Sequence, residues 1–112
     1  MAVDWSETVC VAHLADDPQF GDEMETLEAA LEDEPRHVVL DFGDVSFVNS
    51  SNLAQLVGLH KQLASSDHKL LLCAVPDELW KAFQVSRLDR LFTRVDSVLL
   101  ALATLQVNEA AT

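Results

Sequence analysis

Positive charge is the scarcest feature of this sequence. Its 112 residues carry seven Lys and Arg against 19 Asp and Glu, a formal net charge of −12. A chain this acidic repels polyanions, which makes nucleic acid and anionic lipid surfaces poor partners and a basic protein surface a better one. The same acidity would keep a small domain soluble with or without a partner. Glycine is nearly as scarce, with three residues and no Walker loop or GxGxxG among them, so there is no phosphate cradle. The two cysteines, Cys10 and Cys73, lie in apolar segments without paired spacing and read as buried, reduced thiols of a cytoplasmic protein. The four histidines fall at no metal-ligand spacing; Cys10 and His13, three apart on a strand, point to opposite faces. The longest apolar runs, residues 69–75 and 98–105, are far short of a membrane span. The opening MAVDWSETVCVAHL has acidic residues and no basic start before an apolar core, so it does not read as a secretory signal. The expectation is a protein without cofactor, metal or membrane insertion.

What the chain does have is apolar sequence in register. At 49% apolar it is expected to form a single domain over residues 1–112, and a chain of this length buries about two-thirds of its unfolded surface without staples. Residues 2–5 and 8–14 read as two short strands joined at Ser6-Glu7, and Asp16-Asp17-Pro18 breaks the pattern. Phe20, Met24, Leu27 and Leu31 recur at helical spacing among acidic residues, predicting an amphipathic helix over 20–32 that Pro35 terminates. A strand over 38–42 is followed by a helix to about Ser65, then by a nearly all-apolar strand over 69–75, as expected of a strand covered on both faces. Pro76-Asp77-Glu78 opens another helix carrying Leu79, Trp80, Ala82 and Phe83, and an irregular or strand-like segment with Leu88, Leu91, Phe92 and Val95 leads to a last helix over 98–105. Residues 108–112 have no apolar anchor and are expected to fray. The alternation of strand and helix argues an α/β fold with right-handed crossovers around a partly parallel sheet. The last helix is apolar nearly all round, with Val98, Leu99, Leu100, Ala101 and Leu102. Either it is wedged between the sheet and its neighbours, or its outer face meets a partner such as a second copy.

The stretch that organises the rest is residues 38–63, VVLDFGDVSFVNSSNLAQLVGLHKQL. It reads as strand, loop and helix, with Asn49-Ser50-Ser51-Asn52 at the helix mouth, where a side-chain oxygen can accept from an unpaired backbone N–H. The cap falls on Ser50, Ser51 or Asn52, and Asn52 with Gln55 has capping-box spacing. Leu53, Leu56, Val57, His60, Leu63 and Ala64 form the apolar face; Gln55, Gly58, Lys61 and Gln62 fall on the other side. His60 in the middle of that face reads as a core residue. A Ser50–His60 nucleophile–base pair fails because ten residues of helix separate them by about 15 Å. No enzymatic constellation is present.

At residues 40–63 the sequence resembles the STAS domain, the module of bacterial anti-sigma factor antagonists and of sulfate transporter tails. The residues that carry the resemblance are Leu40-Asp41-Phe42, then Val45-Ser46-Phe47-Val48, then Asn49-Ser50-Ser51-Asn52-Leu53. The following strand, helix and Val95-Asp96-Ser97 extend it over nearly the whole chain. The resemblance implies a small mixed sheet of four to five strands with about four packed helices. It also implies a non-enzymatic partner switch: Ser50, with Ser51 the alternative acceptor, is phosphorylated by an anti-sigma factor that is also a kinase, and phosphorylation breaks the contact. The family's signature Asp is Asn49 here and its Gly is Asn52, so a carboxylate is lost beside the acceptor and a side chain is added. The expected partner surface is Asn49, Ser50, Ser51, Asn52, Gln55 and Gly58, with a homodimer through residues 98–105 as a further possibility. Two other readings stay open. Stand-alone members of the family also bind the ATPase of lipid-transport ABC systems, and the two asparagines would suit a scaffold protein that no longer switches.

Overall fold

The computed structural model describes the backbone of residues 2–110 and the side chains of residues 3–106. Three apolar runs make the middle of the sheet: β2 (Val9–Ala15), β3 (His37–Asp44) and β4 (Leu70–Cys73). Each is parallel to the next, and β5 (Thr93–Val95) continues the parallel set beyond β4. Strand β1 (Ala2–Trp5) closes the other edge antiparallel to β2. Strand order follows chain order, β1-β2-β3-β4-β5. Three successive right-handed crossovers that step the same way along a sheet place their helices on the same face. Helices α1 (Gln19–Asp33), α2 (Ser50–Ala64) and α3 (Asp77–Val85) accordingly share one core. Helix α4 (Val98–Ala110), which follows the last strand, covers the opposite face. The α/β fold, with a mixed five-stranded sheet and four helices, is the one expected.

Alternation along the strands assigns the two cores. Cys10, Ala12 and Leu14 of β2 and Val38, Leu40 and Phe42 of β3 face the three helices, where Phe20, Met24, Leu27, Leu31, Leu56, Leu59, Leu63, Leu79 and Phe83 pack on them. Val11, Val39, Leu71 and Cys73 point the other way, onto Ala101 and Leu105 of α4. Both cysteines are free and buried, and they belong to different faces of the sheet. Burial pushes each thiol up to about 11.

Several boundaries and faces differ from expectation. The buried stripe of α2 is Asn52, Leu56, Leu59 and Leu63, rotated from the expected one. Leu59 turns in and Ala64 turns out, while Leu53 and Val57 pack half-buried at the side of the core. The helix lies against α1 on one flank, so its apolar arc is set by two neighbours and not by the sheet alone. His60 is half-buried, with its ring edge-on to Phe92 at 5.7 Å between centroids. The segment after α3 resolves into a 3-10 turn (Leu88–Arg90) and β5, whose Thr93 and Arg94 are exposed as befits an edge strand. Helix α4 runs past the expected end at residue 105. The expected tail from Asn108 therefore begins within it, and its side chains and residues 111–112 lie outside the described residues. On α4, Ala101 and Leu105 are buried on the sheet, while Leu99 is 79% and Leu100 48% exposed, so the helix is not wedged on all sides.

Candidate functional site

Parallel strands β2 and β3 end side by side, so the loops that follow them, 16–18 and 45–49, lie together at the carboxyl edge of the sheet. Open α/β sheets commonly place their sites there. Two adjacent carboxylates on the first loop organise the second. Asp16 accepts from the Ser46 N–H at 2.8 Å, the Ser46 hydroxyl at 2.5 Å and the Phe47 N–H at 3.4 Å. The hydroxyl first, then the backbone donors, hold its carboxyl below the usual carboxylate range. Asp17 accepts from Gly21 N–H in the first turn of α1 at 3.1 Å and from the Asn49 side-chain amide at 3.0 Å. Its two oxygens also accept from the Asn52 amide, at 3.3 and 3.2 Å.

Helix α2 opens on a reciprocal cap. Asn49 has an extended backbone, and its Oδ1 accepts from Asn52 N–H at 2.8 Å. Asn52 Oδ1 accepts from Asn49 N–H at 3.0 Å. The cap is thus Asn49 and the box is Asn49–Asn52, one turn earlier than the expected Asn52–Gln55 pair, because the backbone becomes helical at Ser50. Asn52 is 2% exposed, with its oxygen spent on the cap and its amide on Asp17.

The six expected partner residues therefore divide. Ser50, Ser51 and Gly58 are exposed, Asn49 and Gln55 are half-buried, and Asn52 is buried. The Gln55 amide donates to Gly21 carbonyl at 3.3 Å, and a Cβ at Gly58 would sit 3.7 Å from the Glu28 carboxylate. Helix α1 thus flanks the side of α2 that carries these two residues. What the edge offers outward instead is Ser50, Ser51 and Phe47, whose ring is 65% exposed. Asp16, Asp17, Ser46 and Phe47 were missed as site residues. Acidic residues directly after a strand that pairs in parallel with the site-bearing strand would have been the signal. Asp41, the acid of the Leu40-Asp41-Phe42 motif, serves the scaffold: Oδ2 bonds His13 Nδ1 on β2 at 2.6 Å, and Oδ1 accepts from Gly43 N–H at 2.9 Å.

Among the described residues no group of three or more His, Cys, Asp and Glu is placed to hold a metal ion. No helix of the described residues is long and apolar enough to cross a membrane. The family model of the STAS domain matches residues 21–101. This chain belongs to the STAS domain family. Solved structures share the fold of this STAS domain over nearly its full length. A Thermotoga maritima protein assigned as an anti-sigma factor antagonist aligns at a TM-score of 0.82 and 16% identity, over 94% of this chain and 93% of that one. An anti-sigma-factor antagonist domain protein of Planctomyces limnophilus aligns at 0.81 and 23% identity, over 94% and 97%. The anti-sigma factor antagonist SpoIIAA in its unphosphorylated form aligns at 0.79 and 14% identity, over 94% and 95%. The Bacillus protein has also been solved phosphorylated, and that form aligns at 0.72 and 16% identity, over 93% and 97%. The matched family region begins after Asp16 and Asp17, so the loop that braces the helix mouth of this STAS domain lies outside it.

Proposed function

We propose that this STAS domain is a non-enzymatic, cytoplasmic regulatory module of the anti-sigma factor antagonist type. It docks on an anti-sigma factor that is a serine kinase, and phosphoryl transfer from ATP to Ser50 ends the contact. The observation that carries this reading is the exposure of Ser50 in the first turn of α2 while Asn49 and Asn52, on either side, are tied inward to each other and to Asp17. A kinase that approaches the edge meets the Ser50 and Ser51 hydroxyls in the first turn of a capped helix, Ser50 nearest the mouth. In the transfer the Ser50 oxygen bonds the γ-phosphorus, ADP leaves and the hydroxyl proton goes to the kinase's base.

The added charge of about −1.5 to −2 sits at the positive end of the helix dipole, which favours it. Asp16 and Asp17 on the neighbouring loop oppose it. The two effects offset, and the fold is left nearly as stable as before. A partner surface built for a neutral hydroxyl is instead repelled. Incubation with the cognate kinase and ATP should add one phosphoryl group that Ser50→Ala abolishes, with little change in thermal stability. Modification at Ser51 would move the acceptor, and no modification by a kinase that binds tightly would leave an unswitched docking module. Binding to the ATPase of a lipid-transport ABC system instead of a kinase would overturn the assignment of partner. The homodimer through residues 98–105 would use Leu99 and Leu100, and a monomer by sedimentation would remove it.

A further inference from the structure

Beside the helix mouth, between the β3–α2 and β4–α3 loops, lies a groove of about 370 Å³. Val45, Pro76 and Leu79 give it apolar lining, and the exposed carboxylates of Asp44 and Glu78 stand on its walls. Gly43 and Ser46 complete it, and the residue after Ser46 is Phe47. The Phe47 ring is 65% exposed although its N–H is tied to Asp16, so the backbone holds a large aromatic side chain out in water. Exposed aromatics beside an apolar groove are the usual anchors of protein interfaces.

Charge says what kind of partner fits. Of the 19 acidic residues, 13 lie in the first 60 positions, where Arg36 is the only Lys or Arg; the rest of the chain is balanced. Arg94, a cation that reaches this end of the sheet, is committed to the Val75 carbonyl and to Asp77. A second copy would bring the same carboxylates face to face in a two-fold contact.

We infer that this groove, with Phe47 as its anchor, docks a protein surface in which Lys or Arg side chains flank an apolar recess. The recess takes the Phe47 ring, and the cations meet Asp44 and Glu78. This rests on the regulatory reading above, because a partner seated here is the one that reaches Ser50, three residues further on. It adds the chemistry of that partner's face. Association should be electrostatically steered and weaken with salt.

The test uses the full chain and each purified serine-kinase anti-sigma factor of the source genome, titrated calorimetrically at low and high salt. The kinase that binds should lose about tenfold or more in affinity on Phe47→Ala. Asp44→Lys and Glu78→Lys should each weaken it several-fold and flatten its salt dependence. Glu25→Lys, on the exposed side of α1, makes the same charge change away from the groove and should leave affinity within about twofold. If the kinase binds but ignores Phe47→Ala and both groove reversals, the surface is wrong and the functional reading survives. If no kinase binds, the functional reading falls and this partner falls with it. A wild-type dimer that Phe47→Ala dissociates would give the surface to a second copy and overturn the proposal.

Discussion

Asn52 and Asp17, 35 residues apart in the chain, are joined at the mouth of α2, with the Asn52 amide 3.2 and 3.3 Å from the two oxygens of the Asp17 carboxylate. The contact ties the loop after β2 to the first turn of α2. It also gives the two departures from the family signature one physical account. An aspartate at position 49 would set a carboxylate against Asp17 where Asn49 donates to it, and a glycine at position 52 would leave Asp17 without its buried donor.

That account can be tested by exchange. Asp17→Ala strands the buried Asn52 amide and should cost about 1–3 kcal/mol in urea denaturation. Asn49→Asp should destabilise by about 1–2 kcal/mol at neutral pH, because a donor becomes a second negative charge. Adding Asp17→Asn to Asn49→Asp should recover most of the loss. Additive effects in the double variant would disprove the coupling.

Phe83 is fully buried, stacked on Trp80 and edge-on to both Phe42 and Phe92. Phe83→Ala should cost about 3–5 kcal/mol, the range for emptying an aromatic site in a packed core. Val85→Ala, two residues on and 86% exposed, should change stability by less than about 0.5 kcal/mol. Thermal unfolding of the pair checks both.

Glu23 is buried on α1, one of its carboxylate oxygens lacks a hydrogen-bond partner, and burial raises its pKa. The folded state therefore holds the proton more tightly than the unfolded chain, so ionised Glu23 costs stability above its folded pKa and nothing below the ordinary value of 4.5. Glu23→Gln should be the more stable protein near neutral pH, and the gap should close as the pH falls towards the carboxylate range. Asp16 has the opposite sign: its depressed pKa favours the fold above the usual carboxylate value and that contribution disappears as acid protonates it. Ser46→Ala should flatten this acid limb.

Cys10 and Cys73, with thiols pushed up to about 11 by burial, should be almost wholly protonated at pH 8, at about one thiolate in a thousand. Their reaction with a disulfide reagent should be slow in the native protein and fast in urea. Rapid labelling of the folded protein would contradict the burial.

Local chemistry was enough to read the order of elements. Val38-Val39-Leu40 and Leu70-Leu71-Leu72, short apolar runs bounded by polar and turn residues, read as covered strands, and a polar tetrad before a 3.6-residue pattern reads as a helix mouth. The exposure of Ser50 follows from that mouth. The edge strand β5 was only half legible, since Thr93-Arg94-Val95 carries no apolar alternation and becomes a strand by pairing with β4. The rotation of α2 that buries Leu59 was set by α1 lying on its flank. The site's electrostatics were decided by the tertiary structure alone. Asp16-Asp17-Pro18 reads as a break in the chain, and the same carboxylates become the brace of Ser46, Asn49 and Asn52 because parallel pairing of β2 and β3 brings the ends of two strands together. A hydrogen bond needs its partner within about 3 Å, and across some 30 residues only the fold can supply it.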